Sequence, residues 1–159
     1  MATLPENLIA TAEALVDFRT LPGSAGLRRA VSTAYYALFS RLAALCAGRL
    51  ARSAPTSYSF KAIYRAIEHG HARKVLAAHA EFSAPIGEAF ERLQEGRHWA
   101  DYSLDTHPEP DKAARRERFS RAEAAEYVDL ARRAIAAVNA LSSDSKQRLA
   151  VGLVARARR

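Results

Sequence analysis

From Leu27 onward, apolar residues recur at steps of three or four: Leu27, Val31, Ala34, Leu38, Leu42 and Leu45. A helix turns about 100° per residue, so this spacing lines all six along one stripe, whereas a strand would divide them between two faces. Tyr35 and Phe39 flank the stripe and widen it. The segment predicts a long central core helix, and the rest of the chain must supply what packs around it.

The remaining sequence offers more helices. Of 159 residues 49% are hydrophobic, which is enough for one continuous core and leaves little room for two domains. Ala and Leu dominate the apolar set, and glycines and prolines fall mostly in short stretches, which favours helix over sheet. A first helix is expected from Pro5, carrying Leu8, Ala12 and Leu15 until Thr20-Leu21-Pro22-Gly23 breaks it, with Ser24 placed to cap the core helix. Residues 51–57, with Pro55, read as a loop; Phe60, Ile63, Tyr64 and Ile67 then form a shorter helix ending near Gly70, and a short one follows around Val75 and Leu76. From Pro85 a further helix carries Ile86, Phe90 and Leu93 on one face, with Glu88, Glu91 and Glu95 largely on others. After a loop at 103–110, Ser120 and Glu123 form a capping-box pattern opening a helix with Val128, Ala131, Ile135 and Val138 inside. The expected fold is all-α, an antiparallel helical bundle of four to five main helices over residues 1–141, centred on the core, Pro85 and Ser120 helices. Residues 142–159 read as a basic C-terminal appendage with a short helix from Asp144.

Several classes of function lose ground on composition. The single cysteine, Cys46, lies in an apolar run, forms no internal disulfide and suits a reducing cytoplasm. Residues 1–6 lack the basic and apolar regions of a signal peptide, and no stretch is expected to reach membrane-spanning length, so the reading is a cytoplasmic protein without a membrane partner. His69, His71, His79, His98 and His107 are scattered without paired cysteines, and His-Gly-His lacks one-turn spacing; no metal site is expected. No Gly-rich phosphate loop and no nucleophile elbow is present, so no cofactor is expected either.

Charge is distributed in blocks. Residues 19–74 hold ten Lys or Arg against one acid, residues 81–111 hold eight acids against Arg92 and Arg97, and residues 112–121 are basic again. The overall charge of +7 suits a polyanionic partner, with Arg28, Arg29 and Arg41 as candidate nucleic-acid contacts; equally, acidic and basic helices lying side by side would neutralise one another. Extending the stripe Ile86, Phe90, Leu93 by one turn lands on Arg97, and one turn more on Asp101. An inward-facing guanidinium requires a partner, and Asp101 is the local candidate; the alternative is that this face is a cleft or a subunit interface and not core.

Two segments give the chain a family likeness. Arg28-Arg29-Ala30-Val31-Ser32-Thr33-Ala34-Tyr35-Tyr36-Ala37-Leu38-Phe39 resembles the arginine-then-A-Y-Y-A-x-F core helix of short bacterial members of the HEPN superfamily, and Arg97-His98-Trp99-Ala100-Asp101-Tyr102 is similar to their R-x-x-A-D-Y motif. The likeness spans about residues 4–141. It implies a bundle that forms a homodimer, often bringing the two motif arginines together. In active members it implies a metal-independent endoribonuclease that uses the arginine, the polar residue after it, and a histidine four to six residues on. Arg97 and His98 match the first two, while Tyr102 stands where the histidine would be. Related domains instead partner a nucleotidyltransferase chain in toxin–antitoxin pairs, or bind nucleic acid.

Metal-free RNA cleavage requires a base for the 2′-hydroxyl and a fixed cation for the charge that builds on phosphorus. His98 and Arg97 supply these types, with Tyr102 as a further candidate and Asp101 as the orienting partner. Adjacent helix positions point about 100° apart, so the pair can serve one phosphate only at a helix end or across a dimer. Glu88, Glu91, Glu95, Asp101 and Asp105 would repel RNA unless the arginines of the core helix face them.

Overall fold

The computed structural model of the protein describes residues 1–20, 25–102 and 119–155. The expected cap Ser24, the loop at 103–110 with Asp105 and His107, the basic stretch 112–118, and Arg156, Arg158 and Arg159 lie outside the described residues. Within them the fold is an all-α helical bundle. Its helices are α1 (Leu4–Asp17), α2 (Ala25–Leu50), α3 (Tyr58–Arg65), α4 (His69–Ala78), α5 (Glu88–Tyr102), α6 (Arg121–Ala140) and α7 (Ser143–Val154).

The core helix is α2. Val31, Ala34, Tyr35, Leu38 and Leu42 are fully buried, and so are Ala30, Ala37, Ala43 and Cys46 off the stripe, because α1, α3, α5, α6 and α7 all pack on α2. Contrary to the sequence expectation, this 26-residue helix is long and apolar enough to cross a membrane by length and composition alone, but 78% of its most apolar window is covered by the rest of the bundle. A buried core helix satisfies the same criterion.

Side-chain pairs fix the helix directions. Arg28 and Ser32 near the start of α2 meet Ala100 and Asp101 at the end of α5, so these two run antiparallel. Trp99 stacks edge-on against Phe119 while Arg92 pairs with Glu126, making α5 and α6 antiparallel as well. Glu13, Val16 and Asp17 of α1 face Ala125, Val128, Asp129 and Arg132 of α6 across a groove of about 390 Å³, with Glu13 and Arg132 ion-paired. Local chemistry sets the helix starts: Thr3 N–H donates to Glu6 (2.6 Å) at α1, and Ser120 and Glu123 exchange hydrogen bonds of 2.7 and 3.1 Å at α6.

Three expectations change in detail. Gly70 does not stop a helix; it lies in the first turn of α4. The Pro85 helix opens with a helical turn, Ala80–Phe82, and a π-helical segment, Ser83–Gly87, before α5. Proline has no N–H and crowds the preceding turn, and the widened turn closes with Glu88 N–H donating to the Ser83 carbonyl.

The third change is larger: residues 142–155 do not form an appendage. Leu149, Ala150 and Leu153 of α7 are buried in the common core. Cys46 Sγ–H donates to Ala150 O (3.8 Å), His71 Nε2–H donates to Gly152 O (2.9 Å), and Glu81 accepts from Ser145 and Arg148. The Cys46 thiol is pushed up to about 12 by burial, so it stays an unreactive packing group.

Candidate functional site

Arg97 occupies the inward position that the α5 stripe assigns to it, facing α2. Its Nε donates to Asp101 Oδ2 (3.1 Å), and its Nη2 donates to the hydroxyls of Tyr36 (3.2 Å) and Tyr102 (3.5 Å). The guanidinium also lies 5.5–5.7 Å from the ring centres of Tyr35, Tyr36 and Tyr102, within cation–π range. Ser32 Oγ donates to the same Asp101 oxygen (3.1 Å), which fixes the carboxylate that fixes the arginine. The Arg97 and Asp101 side chains keep 17% and 24% exposure. Burial works against the Arg97 charge, but Tyr36, by charge and hydrogen bond, with Tyr102 and Asp101, outweighs it and holds the pKa above the ordinary arginine value.

One further residue, Tyr102, touches both His98 and Arg97. Both stand in the last turns of the described α5, near its C-terminal end. Tyr102 accepts from Arg97 through its hydroxyl and packs its ring against His98, centroids 5.1 Å apart. Tyr102 is 65% exposed and His98 is also exposed. Arg97 and His98, which diverge by about 100° on the helix, thus share one neighbour inside one subunit.

Sequence reasoning missed four residues of this cluster: Ser32, Tyr35, Tyr36 and His69. His69, set aside as one of the scattered histidines, sits at the first position of α4, hydrogen-bonded through Nδ1 to the Tyr35 hydroxyl and stacked on Phe39 at 4.2 Å. Its pKa is lowered by burial and then by the Arg97 charge. Burial likewise raises the Tyr35 pKa. A readable signal existed on α2: Ser32 and Tyr36 are one turn apart, a polar ridge beside the apolar stripe. Nothing comparable marks His69, which arrives from a separate helix.

The three candidate nucleic-acid arginines do not form one patch. Arg28 donates to Ala100 O (3.3 Å) and lies 5.5 Å from the Trp99 ring centre, at the α5 side. Arg41 donates to Asn139 Oδ1 (2.7 Å) on α6, its pKa lowered by burial. Thirteen positions separate the two, about 20 Å along a helix. Arg29 is exposed. The acidic flank of α5 is answered in part: Arg73 of α4 pairs with Glu91 and with Glu95 (3.7 Å), the side-by-side neutralisation that the charge blocks allow. Among the described residues no group of three or more His, Cys, Asp or Glu is placed to hold a metal ion. No protein-family model, curated protein or solved structure matches the chain.

Proposed function

We propose that this chain is a HEPN-like, cytoplasmic domain that acts on RNA without a metal, as a component of a defence or toxin–antitoxin system, and that its working site is Arg97 with His98 and Tyr102. One observation carries the reading. Groups from both segments that bear the family likeness converge on Arg97, Tyr36 from one and Asp101 and Tyr102 from the other, while the guanidinium keeps access to solvent beside two exposed rings. A cation held in place before substrate arrives needs little reorganisation to meet a phosphate.

In this reading Arg97 engages the non-bridging phosphate oxygens and Tyr102 donates its phenol hydrogen bond to the same group. His98 takes the proton of the 2′-hydroxyl as it attacks phosphorus. The P–O5′ bond breaks, leaving a 2′,3′-cyclic phosphate and a 5′ oxygen that takes a proton from solvent. Asp101 orients the arginine. A homodimer would set two such sites, or two arginines, at one cleft.

A second reading draws on a specific contact. Asp101 already balances the Arg97 charge, as suits a non-catalytic face for a partner chain such as a nucleotidyltransferase. Incubation of bacterial RNA with the protein in EDTA separates the two. Cleavage that is lost in Arg97→Ala and His98→Ala supports the first; RNA left intact, with a nucleotidyltransferase bound through Arg97, supports the second.

A further inference from the structure

Tyr35 is fully buried, and among the described residues its hydroxyl meets a single partner, Nδ1 of His69. A buried hydroxyl hydrogen without an acceptor is costly, and the raised pKa keeps the phenol protonated. The hydroxyl therefore donates and Nδ1 accepts. A neutral imidazole carries hydrogen on one nitrogen only, so Nε2 carries it here. That N–H makes no hydrogen bond among the described residues, and the ring is partly exposed. Phe39 holds it nearly parallel, at 24°. Tyr35 is the floor that the two groups share: the Arg97 guanidinium lies 5.7 Å from its ring centre and the His69 ring 5.6 Å.

We propose that His69 is the second phosphate-contacting group of the Arg97 site, a neutral imidazole set in its Nε2–H form by Tyr35 that donates a hydrogen bond to the RNA phosphate engaged by Arg97. This rests on the RNA reading above. A second cation beside Arg97 would be repelled by it, whereas a neutral donor adds a hydrogen bond to the anion without that repulsion. The histidine absent from the position of Tyr102 is thereby replaced by one from another helix, in a binding role and not as a base, since its outward nitrogen already holds a hydrogen.

The test uses the full chain and a single-stranded 2′-O-methyl RNA, which has no free 2′-hydroxyl to attack. Tyr35→Phe/His69→Ala removes the imidazole without orphaning a buried hydroxyl, and His69→Gln keeps both an acceptor for Tyr35 and an outward donor. The double variant should bind about tenfold or more weakly than wild type, with an unchanged salt slope, and His69→Gln should retain most of the affinity. Arg97→Ala, which removes a cation, should instead reduce the slope by about one. Independently of RNA, nitrogen NMR of the wild-type protein at pH 7 should show His69 neutral with hydrogen on Nε2. Wild-type affinity in a folded double variant, a slope that changes with it, or a cationic or Nδ1–H imidazole would overturn the assignment while leaving the RNA reading in place. Failure of wild type itself to bind or cleave any RNA would overturn both.

Discussion

An arginine can sit on an inward helix face only if its charge is answered and its head stays hydrated, and Arg97 meets both conditions through Asp101, Tyr36 and Tyr102. The exposure that remains sets the cost of losing it. Breaking a fully buried pair costs about 3–5 kcal/mol; here Asp101 keeps water and the Ser32 hydroxyl, so Arg97→Ala should cost about 1–2 kcal/mol in denaturant unfolding. Gly96, one residue before, has a different constraint. A Cβ there would stand 2.5 Å from Tyr127 Cε1, and the ring is held by Phe119 and Arg92. Gly96→Ala should therefore destabilise by about 1 kcal/mol or more; in a Tyr127→Ala background the sign should reverse, because only the helix-propensity gain of up to about 1 kcal/mol remains. His69 contributes to acid sensitivity. Its folded pKa lies below the ordinary 6.5, through burial and the Arg97 charge, so the unfolded chain takes up the proton first. Its share of stability is full above about pH 6.5 and is lost as pH falls below that value; Glu6, held down by Thr3, adds a loss only below about 4.5. Melting temperatures between pH 7 and 5 should fall less in His69→Gln than in wild type. Arg97 and Asp101 were legible in the sequence because they interrupt an apolar stripe in register; His69 was not, since no local periodicity links a helix start to a tyrosine 34 positions earlier.

Elements were legible where a repeat or a cap announced them. The α2 stripe and the Ser120–Glu123 box predict α2 and α6 as they stand. The π-helical turn at Pro85 was hidden, because a proline reads equally well as a helix start. So was the docking of α7, whose buried apolar residues are Leu149, Ala150 and Leu153, with Val154 packed beside them, within a basic segment; a patch that short shows too little periodicity to distinguish core from fraying end. The structure consequently reverses the expectation that this segment is an appendage. Truncation after Leu141 removes two fully buried leucines worth about 1.5–3 kcal/mol each and should lower the melting temperature by about 10 °C. Leu149→Ala alone should cost about 2–4 kcal/mol. A truncated chain that melts with wild type would contradict the burial seen here.

At the scale of the whole molecule, fold and function draw on different information. The all-α bundle follows from burial patterns that the longer helices α2, α5 and α6 repeat, so one sequence suffices to see it. The charge blocks were legible as blocks, but their pairing was not: Arg73 with Glu91 and Glu95, and Arg148 with Glu81, are tertiary facts, and they consume charge that a count would assign to a polyanion. What remains distinctive is the cluster at the α2–α5 contact, where an anchored cation, exposed rings and a buried tyrosine bonded to a half-buried histidine lie together. This cluster is proposed to act on RNA through Arg97, and cleavage of bacterial RNA in EDTA by wild type and by Arg97→Ala, at matched fold and oligomeric state, tests the proposal. Wild type should cleave, ending in 2′,3′-cyclic phosphates, and the variant should lose at least about a hundredfold in rate; equal cleavage by both proteins, or none by wild type, would overturn the proposal.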